Sequence, residues 1–478
     1  MRKKENKEEL LQLIRQNCPM TMGQQLQLTL QLSTPAILAQ LTTTIMQYID
    51  ASMVGSMGPS ASAAIGLIES TTWLLGSICS ATAAGFYVQV SHLLGASNGH
   101  DARNVVRQGI TSVLIVSLIV MSIALSVSPF LPKWLGGNDD INGMSSAYFA
   151  IFALGIPIFQ FSMFASGMLR SSGNMVVPSV MSVVMMALDV VFNFFLIFPS
   201  RMVNILGIEL FIPGAGLSVT GAAIGTVSAE LVATTYTMYY LCRKQKDLNL
   251  KIDTGSFRPK FQYIKNAFHI GAPMGLQQAI MCSAYVAMTL IIAPLGTFAI
   301  AANSFGIIIE SLCYMPGYGI ADAATTLVGQ SHGAGRHDLM KRFAYISVAL
   351  GMGVMALMGI IMYLGAPFAM NLMTPSEEVR QMGVMILRIE AFAEPMFAAA
   401  IVTYGVFVGT ANTLIPSIMN LVSMWGVRIT LAALLAPVMG LKGVWLAMCI
   451  ELCFRGCIFL YRLKWGNWIK KDLIKSSL

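Results

Sequence analysis

Runs of about twenty residues without Asp, Glu, Lys or Arg recur along the whole chain. Roughly that length of helix crosses the apolar core of a bilayer. In that medium a backbone can satisfy its own polar groups only as helix or closed barrel. Twelve such segments can be read, near residues 28–52, 61–86, 105–132, 146–168, 176–199, 217–242, 267–294, 298–325, 343–371, 383–408, 415–438 and 442–463. Several exceed the minimum length, which implies tilt or extension beyond the bilayer. Only 11% of the residues are charged, against about 25% in soluble domains. A soluble protein of 478 residues could not cover its surface with so few. The expected fold class is an all-α polytopic membrane protein with twelve transmembrane helices.

The formal charge of +8 raises a nucleic-acid reading, which the distribution of the bases excludes. Lys and Arg gather in short connections rather than in one patch with interleaved aromatics. With both termini placed in the cytoplasm, 23 of the 30 fall on that side. Five (Lys133, Arg201, Arg380, Arg388 and Lys442) fall on the other, and Arg428 and Arg455 lie within helices. That asymmetry is a topology signal. It predicts a multi-pass protein of the cell (inner) membrane, with the bilayer rather than nucleic acid as its partner. The N-terminal segment has no apolar core followed by a small-residue cleavage site. It is expected to be retained and to lie along the cytoplasmic membrane surface.

Eight cysteines form no disulfide framework: six lie inside apolar segments. Cys449, Cys453 and Cys457 share one helix face and read as small residues that pack a membrane helix. The five histidines all fall at predicted cytoplasmic ends, so chemistry at membrane depth rests on carboxylates.

A shift of 238 residues superimposes Pro35 on Pro273, Gly58 on Gly296, Gly95-Ala96 on Gly333-Ala334, Pro157 on Pro395, Asn174 on Asn412 and Pro178 on Pro416. Repeated coincidence of Pro and Asn without a gap marks an internal duplication. Each half holds six helices, an even number, so the halves are parallel repeats with a substrate path between them. The expected units are a cytoplasmic segment (1–27), a six-helix bundle (28–242), a cytoplasmic linker (243–266) and a second bundle with its cytoplasmic tail (267–478). Two bundles around a cleft suit a transporter that rocks. No HExxH motif, nucleophile–base spacing or selectivity-filter run points to an enzyme or a channel.

Several motifs resemble those of multidrug and toxic compound extrusion (MATE) transporters over roughly residues 28–463. They are YIDASMVGSMGPSASAAIGL (48–67), VSHLLGASN (90–98), GMLRSSGNMVVP (167–178), TLVGQSHGAG (326–335) and MWGVRITLAALL (424–435). The resemblance implies a secondary active antiporter that exports organic cations or amphipathic drugs in exchange for Na⁺ or H⁺. No other cofactor is implied, and the working unit is expected to be a monomer. It also implies that Asp50 belongs to a cation site in the N-terminal bundle, as in one bacterial branch. In the fifth segment that branch carries Asn four residues before Asp; here the order is reversed, Asp189 then Asn193. Thr226 falls where the branch has a hydroxyl ligand in the sixth segment. The acids of another, sodium-driven branch are replaced by Met281 and Phe397. A lipid-linked saccharide flippase of the same superfamily is the alternative; it calls for a basic cleft, whereas nine acids stand at apparent membrane depth.

Among those acids a charge costs about 2.5–3.5 kcal/mol on insertion scales, so each needs a partner or a function. Asp50 and Asp189 form the best pair, since both fall in the outer halves of outward-running helices. Two carboxylates in a low-dielectric site resist ionising together, so the pair either shares a proton or captures a cation. Na⁺ would take oxygens from Asp50, Asp189 and Asn193, with Thr226 completing the set. Glu310, Glu69, Gln277, Gln278 and Met281 are expected to line the substrate cleft. Glu390 and Glu394 are expected to pair with Arg428, and Glu451 with Arg455 four residues on. Asp322 and Glu230 read as structural.

Overall fold

The computed structural model describes residues 6–205 and 208–469. The bases counted above at 2–4 and 470–475 lie outside the described residues. Twelve spanning helices follow the order read from the sequence. The first six are α1 (Met22–Gly55), α2 (Pro59–Gly95), α3 (Gly99–Val127), α4 (Asp139–Ser171), α5 (Val176–Ile197) and α6 (Ser218–Arg243). In the second half stand α7 (Phe261–Ile292), α8 (Thr297–Gly333), α9 (His337–Met373), α10 (Glu377–Glu390 and Glu394–Gly409), α11 (Leu414–Met439) and α12 (Leu441–Trp465). Among the described residues nine helices are individually apolar enough to span, and the bent α10 makes a tenth. In α1, Gln and Thr side chains lower the hydropathy; Gln25, Thr29 and Ser33 are buried against protein rather than lipid.

The duplication is written into the backbone. Residues with positive φ recur at the same offset: Gly58 and Gly296, Ser97 and Gly335, Gly173 and Ala411. Two of those six are not glycine, so the repeat holds a left-handed turn even where the side chain opposes it. The offset ends after α5. There the first half inserts a β-hairpin, β1 (Pro199–Ile205) against β2 (Ile208–Ala215), whereas α11 and α12 are joined through Gly440 alone. The spanning elements are all helical, and this hairpin is a connection between them. Antiparallel pairing of Met202 with Phe211 and Val203 with Leu210 satisfies the backbone of a stretch too short to span. At its base Arg201 lies over the Phe194 and Phe198 rings, at 4.8 and 4.5 Å.

Two breaks in the second half have local causes. α10 bends by 58° between Glu390 and Glu394. Pro395 lacks an N–H and its ring collides with the carbonyl four residues earlier, which ends the first half-helix near Ala391. Residues Val422–Ile429 of α11 are π-helical, a single wide turn of the kind found at functional sites.

The two halves meet at the end that carries the linker. There α2 crosses α8, and a Cβ at Gly95 or Gly333 would strike the backbone of Gln330 or His92. His92 and Gln330 are themselves one offset apart, so this is one contact made twice about a pseudo-twofold axis. α1 also packs on α8, and α7 on α2. Arg170 of α4 reaches Asp322 of α8 at 2.9 Å, and Gln40 of α1 donates to the same carboxylate. Asp322 is therefore an inter-bundle partner rather than a residue of one helix alone. Farther along α1 and α8, residues of α1 and Leu312 of α8 border an open cavity.

The N-terminal segment departs from its expected place along a membrane surface. The short helix Lys7–Arg15 buries Leu10, Leu11 and Ile14 in the seam between the halves. The linker is also docked: Asp253 accepts from Arg103 at 2.8 Å, from Arg107 at 2.6 Å and from the His100 ring at 2.8 Å. Those donors, Arg103 foremost, hold its carboxyl well below the usual carboxylate range. A lowered native value contributes stability that is full above the ordinary value of about 3.9 and fades as pH falls below it. A nitroxide at Ser256 is thus expected to stay immobile from neutral pH to about pH 4 and to gain mobility below it. Asp253→Asn should show the mobile spectrum at every pH; an immobile spectrum in that variant would show that the ion pairs do not dock the linker.

Candidate functional site

α1 presents two faces, and the site follows from that division. Ile45, Tyr48, Ile49, Ser52 and Met53 recur at helical spacing and, with Leu312 of α8, line an open cavity of about 310 Å³. Met46, Asp50 and Val54, at i, i+4 and i+8, point the other way. Met46 packs with Met181, Met185, Ala229 and Ala233 of α5 and α6. Val54 packs with Ile197, Val219 and Ala222. Asp50, half-buried, lies between these two apolar layers.

Its partners come from α5. The Asn193 side-chain nitrogen donates to Asp50 Oδ1 at 3.0 Å and to Asp189 Oδ2 at 3.1 Å. One amide thus uses both N–H groups to bridge two carboxyls, and the carboxyl of Asp189 stands within hydrogen-bond reach of Asp50. Asp189 and Asn193 are fully buried. Asp189 Oδ1 and Asn193 Oδ1 are buried without a hydrogen-bond partner among the described residues. The exchanged order of Asp and Asn is therefore accommodated, because i and i+4 stand one turn apart on the same face. Gly225 of α6 abuts Asn193 Oδ1, where any larger residue would displace it. Thr226, its neighbour, is half-buried and makes no hydrogen bond to the trio among the described residues. Tyr148 of α4 lies within electrostatic reach of Asp50, Glu69 and Asp189. The donor set is all oxygen, the kind a hard cation takes, and two acidic groups sharing one pocket equally suit a proton.

The second half answers its charges unequally. Arg428 does not pair with Glu390 or Glu394: it bonds Glu451 at 2.9 Å, and Arg455 bonds the other oxygen at 2.7 Å. Ser423 donates to the same carboxylate. The π turn rotates Arg428 away from α10 toward α12, a change of phase that residue spacing does not reveal. The Glu451–Arg455 pair is thus part of a larger group. Glu390 and Glu394, fully buried on either side of the break in α10, have no hydrogen-bond partner on any carboxyl oxygen among the described residues. A carboxyl so placed is stable in an apolar interior only with a proton or a cation added.

None of the five residues expected to line the cleft lines this cavity. Met281 is buried against Ala284 and Met424 inside the second half. Glu310 is buried two residues from Leu312, and Gln277 and Gln278 are half-buried on α7. Glu69 is exposed on α2. The wall comes instead from α1, whose aliphatic residues carry no chemical signal of their own. Tyr48 was equally silent: its hydroxyl pairs with Ser311 and the Ile308 carbonyl across the cleft. The helical spacing of 45, 48, 49, 52 and 53 is the one signal that could have shown this face.

A family model described as MatE matches residues 35–195 and 273–434, two blocks that begin at the offset prolines. A probable multidrug resistance protein NorM from Thermotoga maritima is 22% identical over 453 residues, 93% of each chain. One of the same description from Idiomarina loihiensis is 25% identical over 448 residues, 91% of this chain and 92% of its own. A MATE protein crystallised in complex with MaL6 has a TM-score of 0.82 at 19% identity, covering 95% of this chain and 98% of that one. An outward-facing multidrug resistance MATE family transporter of the MOP superfamily has a TM-score of 0.84 at 20% identity, covering 98% and 100%. These likenesses establish the twelve-helix, internally duplicated fold.

The unequal pairing predicts opposite stability effects. Glu451→Gln leaves two buried guanidinium groups uncompensated and is expected to cost about 3–5 kcal/mol. Glu390→Gln and Glu394→Gln remove no bond and should leave stability unchanged or raised. Thermal unfolding of the purified variants in detergent checks the contrast; equal losses in all three would show that the α10 acids have partners after all.

Proposed function

The chain belongs to the MatE family, and from that premise we propose that it is a secondary active antiporter exporting organic cations or other amphipathic compounds in exchange for Na⁺ or H⁺. The linker end is assigned to the cytoplasm by the excess of Lys and Arg there. On this reading the protein is a multi-pass protein of the cell membrane whose cavity faces outward. One chain supplies both walls of the cavity, so a monomer suffices.

The observation that carries the reading is the Asn193 bridge between Asp50 and Asp189, with two buried oxygens left unsatisfied beside it. Bound Na⁺ or H⁺ supplies the positive charge that lets the two carboxyls share one pocket. Asn193 holds them at that separation in either state. Asp50 transmits the change because it shares α1 with the cavity wall: any shift of the helix against α5 moves Ile49, Ser52 and Met53 on its opposite face. Charge at one face and shape at the other are thereby linked through one rigid element. The apolar cavity, with Tyr48 and Ser52 as its polar groups, suits an amphipathic guest. It carries no base to hold a pyrophosphate, which weighs against the flippase alternative.

Purified protein in vesicles, loaded with a fluorescent organic cation, tests transport under imposed Na⁺ and pH gradients. Asp50→Asn and Asp189→Asn are each expected to abolish ion-driven export, with expression and melting temperature retained. Asn193→Ala removes both N–H bonds of the bridge and should weaken coupling by about tenfold or more, since each hydrogen bond to a charged group contributes about 1.5–3 kcal/mol. Wild-type export from Asp50→Asn would remove that residue, and with it this site, from the mechanism.

A further inference from the structure

The N-terminal helix is built into the closed end of the cleft, not laid over it. Asn6 and Glu9 form a capping box that starts the helix at Lys7. Its apolar face inserts Leu10, Leu11 and Ile14 beside Leu327 of α8, Phe343 of α9 and Leu28 of α1. Leu11 fills the space above Gly173, where a side chain would collide with it. Its polar edge bonds both halves at once. Arg15 donates to Gln330 of α8 at 3.3 Å, to the Ser172 carbonyl after α4 at 3.5 Å and to Asp247 of the linker at 2.8 Å. Ser97, in the turn after α2, donates to the Arg15 carbonyl at 3.2 Å. Arg336, in the equivalent turn after α8, donates to the carbonyls of Leu13 and Cys18. Lys246 reaches Glu8 at 2.9 Å.

Those two turns are the repeat-related ends of the helices that cross at Gly95 and Gly333. They must separate if the cleft is ever to open on this side. Ser97 and Ser172 belong to the first half, Gln330 and Arg336 to the second, and one nine-residue helix holds all four. The crossing cannot part without tearing the helix from at least one half. Among the described residues nothing in the second half repeats it, so this clamp is an addition to the symmetric core. We propose that residues 6–15 form a detachable latch that holds the cytoplasmic end of the cleft shut, so that release of the helix controls inward opening. This rests on the transport reading only for the existence of an inward-open state.

Hydrogen–deuterium exchange of the full-length protein in detergent tests it without any transport measurement, so the result is independent of substrate and ion. In Leu10→Asp/Ile14→Asp, exchange in the linker-end turns of α2 and α8 (residues 86–98 and 324–336) is expected to rise by about tenfold. Exchange across α5 and α6 should not change, which reports that the bundle remains folded. Glu8→Cys/Lys246→Cys, bridged through these two exposed positions by a bifunctional thiol reagent with a central disulfide, pins the helix across the span of the Glu8–Lys246 ion pair. The bridge should slow exchange in the same turns below wild type, and reductant should restore it. Wild-type exchange in both variants would overturn the latch. So would raised exchange in the first variant that extends equally to α5 and α6, together with no effect of the bridge.

Discussion

A bilayer offers no water to a charged side chain, so each charge carried into it must be met by the protein itself. The degree to which that is done separates the acids of this chain by role. Glu451 is met by two guanidinium groups and a hydroxyl, and nothing about it invites a guest. Asp50 and Asp189 are met by a single neutral amide, which orients them without cancelling their charge. Glu390 and Glu394 have no hydrogen-bond partner among the described residues, and Arg428 reaches Glu390 only through its field. Full pairing builds structure, whereas partial pairing leaves room for an exchangeable cation or proton.

The same constraint explains why α1 is central. A helix has only two sides to offer, and here one side lines the cavity while the other carries the carboxyl into the first bundle. Coupling between charge and cavity shape then needs no long pathway of intermediates. It needs one stiff rod whose position both sides bias, the form of coupling that has a direct physical basis. The apolar layers above and below Asp50 lower the dielectric around the buried Asp189 and Asn193, which strengthens the electrostatic interactions there.

The duplicated core is nearly symmetric, and its departures from symmetry are informative. The hairpin between α5 and α6 and the N-terminal helix each occur once. They cap opposite ends of the molecule, the hairpin beside the open cleft and the helix on the closed seam. The break in α10 has no counterpart in α4, although Pro157 occupies the place of Pro395; α4 runs unbroken from Asp139 to Ser171. A proline is therefore permissive of a break, and packing around it decides whether one forms.

Sequence alone determined the twelve spans, the duplication and Asp50 as the odd charge in the first span. Length, hydropathy and a fixed offset are properties of a chain read in one dimension, and the bilayer imposes them before any helix finds its neighbour. It also placed Asp189 and Asn193 on one face, because four residues make one turn whatever surrounds them. Only the tertiary structure decided which partner each buried charge takes. Arg428 turns to Glu451 rather than Glu390 because a π turn resets the phase of α11. The aliphatic face of α1 becomes the cavity wall, while Met281 and Glu310 turn inward. An amphipathic helix at the N-terminus finds a seam instead of a membrane surface, because two bundles together offer a groove that neither half presents alone. Rotational phase and the meeting of distant helices depend on packing in three dimensions, and no spacing along the chain encodes them.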